Sequence, residues 1–185
     1  MKSAAKRLVT ALLSRSNLGR RLVLSFGLRG YLDSCGWFRS VKEKLPVDHN
    51  GACLPWYTYP AITFLEGRIN PSVAVFEYGS GNSTLWWSMQ ATRVTSCEHD
   101  IDWYTSFKSK MPKTVEYMHR ELDGGHYCDA ILAYNEAFEI IVIDGRDRVN
   151  CAKNSLSALT ADGVIIWDNA DREKYNPGHS YLVKS

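Results

Sequence analysis

Four short stretches carry residue types able to do chemistry together: Glu77-Tyr78-Gly79-Ser80-Gly81-Asn82-Ser83, Glu98-His99, Asp144 in IIVIDGRDR, and Asp168-Asn169 in VIIWDNADR. Gly79 and Gly81 let the backbone turn sharply and touch a ligand directly. Ser83 is placed to cap a helix whose free N–H groups and positive dipole end face the same spot. A pyrophosphate-binding Gly-x-Gly-x-x-Gly would need a third glycine where Thr84 stands, and Glu77, two residues before the first glycine, repels a phosphate. That acid favours a cationic ligand. Asp144, Asp168 and Asn169 supply oxygens of the kind that hard cations such as Mg2+ prefer.

Chemistry of this kind needs elements that bring the stretches together. From Val73 onward, short β-rich runs alternate with helix-like ones. The pattern predicts strands over Val73 to Tyr78, Thr92 to Glu98, Thr114 to His119, Phe138 to Asp144 and Val164 to Asp168. Helices are expected from Ser83 to about Ala91, around Ile101 to Lys110, near Ala130 to Glu136, and over Ala152 to Leu159, with Asp162-Gly163 as a turn. Five strands separated by helices give an α/β fold with a parallel sheet and right-handed crossovers. Ligands of such sheets settle beyond the carboxyl ends of the strands, near the reversal of strand order, and all four stretches lie at strand ends.

The acid-x-Gly-x-Gly of Glu77-Tyr78-Gly79-Ser80-Gly81 resembles the first motif of the class I S-adenosylmethionine-dependent methyltransferases, and the likeness spans about Val73 to Asp171, roughly half the chain. The resemblance implies a Rossmann-like fold, a parallel sheet of five strands flanked by helices. It implies S-adenosyl-L-methionine as cofactor, held by Glu77, Tyr78, Gly79, Ser80, Gly81, Asn82, Ser83, Glu98, His99 and Asp144. Glu77 would serve the methionine amino group, directly or through water; Glu98 would accept from both ribose hydroxyls; His99 and Asp123 would lie near the adenine. The cofactor carries an ammonium and a sulfonium but no phosphate, so a carboxylate beside a glycine turn is favourable. Without the glycine motif, Glu98 would read as a capping acid and His99 as an exposed histidine.

Asp144 with Asp168-Asn169 is similar to the metal-dependent O-methyltransferases of the catechol and macrolide-sugar types. That likeness implies Mg2+ held by Asp144, Asp168 and Asn169, lowering the pKa of a substrate hydroxyl and orienting it for in-line attack on the sulfonium methyl. Catechol-type enzymes carry a lysine three positions after the first metal aspartate, where this chain has Asp147. The proton acceptor is then Asp147 or His179, with Asp144 catalytic through its metal role. Arg146, Arg148 and Arg172 either pair with acids or grip an anionic substrate. The fold normally ends with an antiparallel strand pair, yet 17 residues follow Asp168, and GHSYLVKS could start one strand only. The C-terminal β-hairpin is therefore expected to be missing, either because the chain is a shortened version or partner, or because its fifth strand is an open edge covered in a homo-oligomer.

Composition bounds the remaining choices. The 185 residues, 45% of them apolar, suffice for one core. Residues 1–72 read as a basic N-terminal helical arm followed by an aromatic cap or lid, and residues 73–185 as the cofactor-binding core. In the lid segment, Trp56, Tyr57 and Tyr59 serve either packing or ligand contact. A net charge of +2, from 22 Lys and Arg against 20 Asp and Glu, argues against a polyanion-binding design, so no nucleic-acid partner is expected. Seven of those basic residues and no acid fall in residues 1–32, leaving 15 bases against 20 acids, a net of −5, in the remainder. Charges interrupt every apolar run of the arm before the ~18 residues of a bilayer span. The arm reads as a helical cap, an organelle-targeting peptide, or an amphipathic segment in peripheral contact with a membrane. Five scattered cysteines without a Cys-x-x-Cys pair suggest reduced thiols in a cytoplasmic protein.

Together these features point to a methyltransferase acting on a hydroxyl of a small-molecule acceptor, a sugar or other hydroxylated metabolite. The alternatives are metal-free transfer to nitrogen or another oxygen, a non-catalytic cofactor-binding domain of the same fold, and a NAD-dependent oxidoreductase.

Overall fold

The computed structural model describes residue 11, residues 16–19 and residues 30–184. Most of the basic arm lies outside these residues. The chain divides into two compact units, Met1–Leu54 and Pro55–Ser185. In the first, helices α1 (Tyr31–Ser34) and α2 (Trp37–Glu43) precede a hairpin-like turn closed by a bridge between Val47 and Cys53. Asp48 Oδ1 accepts the backbone N–H groups of Asn50, Gly51 and Ala52, which closes that turn.

In the second unit, helix α3 (Tyr59–Glu66) starts where Thr58 caps it through Ala61 N and Pro60 fills its first turn. Then come β1 (Ala74–Tyr78), α4 (Asn82–Gln90), β2 (Arg93–Glu98), α5 (Ile101–Lys108) and β3 (Val115–His119). They are followed by α6 (His126–Asp129), β4 (Phe138–Ile143), α7 (Arg148–Ser155), β5 (Leu159–Trp167) and α8 (Asn176–Leu182). The five strands form one sheet in the order β3-β2-β1-β4-β5, with every pairing parallel. The inner strands β1 and β4 are largely buried on both faces because helices cover both. Phe76, Tyr78, Ile141 and Ile143 meet Tyr127, Ile131, Cys151 and Ala152 on one side. By alternation, Val75 and Glu77 face the other side. On α4, Trp86 and Trp87 are buried edge-to-face at 4.7 Å.

The strand order reverses between β1 and β4, which sets the ligand-binding crevice at their carboxyl ends. Several local expectations are corrected. The helix expected near 130–136 begins at His126 and passes into a 3-10 turn at Ala130–Ala133, because Gly124 and Gly125, both at positive φ, end the preceding turn. The helix expected over 152–159 begins at Arg148, since Asp147 takes a left-handed conformation at φ 45° and starts it early. Asp162-Gly163 is a bulge within β5: Phe138 pairs with Leu159, but Ile140 pairs with Val164. GHSYLVKS forms no strand; Pro177 opens helix α8, whose Gly178 packs against Trp167 and Val149. No β-hairpin follows β5 among the described residues, and no helix among them is long and apolar enough to cross a membrane.

Candidate functional site

The turn after β1 is built around close backbone approach. Gly79 sits at φ +100°, and a Cβ there would lie 3.2 Å from Gly145 N, the glycine just past β4. The two turns therefore meet at the reversal of strand order, and a side chain on Gly79 would push them apart. Trp103 of α5 donates its indole N–H to Ser80 O at 2.9 Å and fastens the turn from outside. Helix α4 starts at Asn82, one residue before the expected cap. Thr84, rather than Ser83, closes its first turn by accepting Gly81 N at 3.1 Å.

The same Thr84 hydroxyl donates to Glu77 Oε2, while Glu77 Oε1 has no hydrogen-bond partner. Glu77 is fully buried, and burial, opposed by the Thr84 and Ser83 hydroxyls, pushes its pKa up to about 8. It lines neither of the two cavities described below. Glu77 pairs in register with Ser96, and Glu98 is two residues further along β2, so both acids point to one face of the sheet.

Glu98 ends β2 as a buried carboxylate with its bonds arranged around it. Oε1 accepts the backbone N–H groups of His99 and Asp100 at 2.8 and 3.0 Å, and Oε2 accepts the Ser80 hydroxyl at 2.7 Å. Because Ser80 has spent its hydrogen, Tyr117 of β3 must donate in the 2.8 Å contact between the two hydroxyls. His99 Nδ1 stands 2.9 Å from Glu98 Oε1 but out of line for a hydrogen bond. A cavity of about 330 Å³ opens over these groups. Gly79 and Ser80 form one side, Glu98, His99, Asp100 and Trp103 another, and Asp144, Gly145, Arg146 and Arg148 the third.

At the tips of β4 and β5, Arg148 stands between Asp144 and Asp168, at 2.9 and 3.3 Å. Its five N–H groups are all engaged: Nε to Gly145 O, one terminal nitrogen to the carbonyl and carboxylate of Asp168, the other to the carbonyl and carboxylate of Asp144. Burial and the neighbouring Asp168 push the Asp144 carboxyl up to about 7 despite Arg148.

The expectation of Mg2+ here does not fit. A guanidinium occupies the position between the two carboxylates that an ion would need, and among the described residues no group of three or more His, Cys, Asp or Glu could hold one. Asn169, left-handed at φ 53°, faces a different cavity.

That second cavity, about 310 Å³, lies between α3 and the end of β5, lined by Tyr57, Thr58, Ala61, Phe64 and Leu65 opposite Ile166, Trp167, Asp168 and Asn169. The hydroxyl of Tyr57 is buried without a hydrogen-bond partner; burial and the Glu77 carboxylate push its pKa well up.

The remaining expected residues sit apart from both cavities. Tyr78 is a core residue whose hydroxyl donates to Cys128 O at 2.7 Å. Asn82 is buried and Ser83 half-buried in the first turn of α4. Asp147 accepts the Asn150 amide, His179 is exposed on α8, and Asp123 is exposed in a 3-10 turn; none of the three lines either cavity. Sequence reasoning did not single out Trp103, Asp100 or Tyr117. An aromatic residue four positions after His99, one turn into the helix behind β2, was the available signal for Trp103.

No protein-family model and no curated protein matches the chain. Solved structures do. A methyltransferase-like protein from Silicibacter pomeroyi superposes with a TM-score of 0.51 at 19% identity, over 70% of this chain and 79% of that one. The fold is a Rossmann-like methyltransferase fold. The YcgJ protein from Bacillus subtilis (TM-score 0.46, 12% identity) is covered over 48% of its length by 58% of this chain. The trans-methyltransferase CalH in complex with SAH (TM-score 0.39, 18% identity) is covered over 33% of its length by 56% of this chain. The chain thus spans about half of YcgJ and a third of CalH.

Proposed function

We propose that the cavity over β1, β2 and β4 binds S-adenosyl-L-methionine and that the chain transfers its methyl group to a hydroxyl of a small molecule, a sugar or other hydroxylated compound, without a metal ion. The observation that carries this reading is Glu98: a buried carboxylate at the tip of β2, on the same sheet face as Glu77, lining a cavity whose opposite side is the glycine turn. A diol such as a ribose suits a carboxylate, and Arg148, with its N–H groups already engaged, offers no free cation there to a phosphate.

The cofactor supplies an electrophilic methyl on a sulfonium. The chain's own part is positioning and proton acceptance. In the transfer, the acceptor oxygen forms a bond to the methyl carbon, the carbon–sulfur bond breaks with its electron pair on sulfur, and the hydroxyl proton leaves to a base. Asp144, at the edge of the cavity with a pKa of about 7, is suited to take it near neutral pH. Trp103 and His99 border the same cavity and offer ring faces to a purine.

Calorimetric titration with S-adenosylhomocysteine tests the reading, with Glu98→Ala weakening binding at least ~tenfold. No heat with the wild-type chain, or heat with NAD in its place, would overturn it. Arg148 favours the metal-free version over the metal-dependent one, and that version predicts transfer that persists in excess chelator.

A further inference from the structure

The second cavity takes part in none of the contacts assigned to the cofactor. One wall is the side of α3 that carries Ala61 and Leu65, with Tyr57 and Phe64 at its margins; the other is Ile166 and Trp167 at the end of β5. Polar side chains collect at one end, where Asp168 and Asn169 leave the strand.

That end is also where the two cavities come together. Arg148 borders the first cavity, and its guanidinium joins Asp144, on the first, to Asp168, on the second. Methyl transfer needs the accepting atom within about 3–3.5 Å of the transferred carbon. A pocket sharing a wall with the cofactor site can present an acceptor to it; a remote one cannot.

We propose that the second cavity binds the methyl acceptor, and that the acceptor is a compact, largely apolar ring compound, neutral or cationic, with its hydroxyl at the Asp168–Asn169 end. This deepens the reading above and rests on it.

Three observations select that occupant. A cavity of about 150 Å³ accommodates a benzene ring, so about 310 Å³ accommodates one substituted ring and little more. Tyr57, Phe64 and Trp167 offer ring faces and edges for stacking, and the aliphatic remainder gives an elongated or highly polar chain nothing to bond. The charged end carries two carboxylates against one guanidinium, and that guanidinium has no N–H left for a phosphate or carboxylate of the acceptor. An anionic acceptor would meet the Asp168 carboxylate with only neutral donors, the Tyr57 hydroxyl, the Trp167 indole N–H and the Asn169 amide, to offset the repulsion.

Fluorine NMR of a matched probe pair tests this on the intact chain. 4-Fluorophenol is expected to bind saturably, and 4-fluorophenyl phosphate not to bind over the same range. Ala61→Trp, which fills the groove, should weaken 4-fluorophenol at least ~tenfold while leaving the heat of S-adenosylhomocysteine binding in place. Phe64→Ala, at an exposed position that does not threaten folding, removes one wall and should weaken it as well. Equal binding of the phosphate, or binding of 4-fluorophenol unchanged in both variants, overturns the proposal. So does a groove that loses its probe as the chain self-associates at higher concentration, since it would then be a contact between copies. S-adenosylhomocysteine heat without 4-fluorophenol binding sinks the groove alone. Probe binding without that heat sinks the cofactor reading, and with it the acceptor role.

Discussion

Ser80 donates its hydroxyl hydrogen to Glu98 Oε2 at 2.7 Å, tying the turn after β1 to the tip of β2. The carboxylate that would meet a cofactor diol is therefore held in place before any ligand arrives, with Tyr117 in turn holding Ser80. Such preorganisation separates two roles that a single substitution would merge. Glu98→Gln removes the charged acceptor and should weaken S-adenosylhomocysteine at least ~tenfold, the loss of a charge-assisted bond of about 1.5–3 kcal/mol. Ser80→Ala leaves the carboxylate in place on its two backbone N–H groups and should change affinity less than ~threefold. Calorimetry on the two variants distinguishes these outcomes.

Among the described residues, Arg148 is the one cation that pairs with both Asp144 and Asp168, and it is itself 8% exposed. Arg148→Met should cost about 3–5 kcal/mol of stability, because it strands two half-buried carboxylates. It should also create a site for a divalent ion where the wild type has none. Thermal unfolding with and without Mn2+ checks both: the variant melts lower, and only the variant is raised by the ion.

Glu77 gives a pH signature. Its folded pKa, about 8, lies above the ordinary glutamate value of 4.5, so the folded chain retains a proton that the unfolded chain has released. Its contribution to stability is complete below about pH 4.5, declines as pH rises, and is lost above about pH 8. Glu77→Gln, neutral at every pH, should flatten this decline, and its advantage over wild type should grow from pH 5 to pH 9. The upper bound is of the order of 4 kcal/mol at about 1.4 kcal/mol per pKa unit. Denaturant titrations of both proteins at the two pH values measure it. If a cofactor ammonium ionises Glu77, binding at pH 7 releases close to one proton in the wild type and none in Glu77→Gln, visible as buffer-dependent heat.

Asp144 titrates near pH 7 because burial and the Asp168 carboxylate both oppose its charge. Asp168→Asn removes the repulsion, leaves Arg148 free to favour the ionised form, and should move the Asp144 midpoint down. Carbon NMR of the side-chain carboxyls follows that midpoint directly. Where transfer is measured, the rising limb of its pH profile should move the same way.

The parallel sheet was legible because β1, β2, β3 and β4 each announce themselves as short β-branched or aromatic runs, and a parallel sheet tolerates such continuous burial. Glu98 was legible for the same reason: an acid that ends an apolar strand stands out. Thr84 was not, because its capping role depends on a Gly81 conformation that no local pattern encodes. Arg148 was harder still. In sequence it is one of three arginines near two aspartate tips, and only the parallel pairing of β4 with β5 puts Asp168 within its reach, twenty residues away. The metal expectation failed at that point, since oxygens that look like ion ligands in a string of letters were already satisfied by a neighbouring cation. Tyr57 lies outside the recognisable motifs altogether, and its place beside β5 comes from the packing of α3.

The three surplus residues in β5 break its outer hydrogen-bonding rim into two short pieces that lie out of step with each other. A straight, uninterrupted rim of Leu159 to Trp167 would be a ready template on which a foreign backbone could zip; a kinked one grips an incoming strand over only a few residues. The irregularity at Ala161, Asp162 and Gly163 thus works against edge-to-edge pairing, and excising those three residues should increase precipitation on concentration relative to the parent chain.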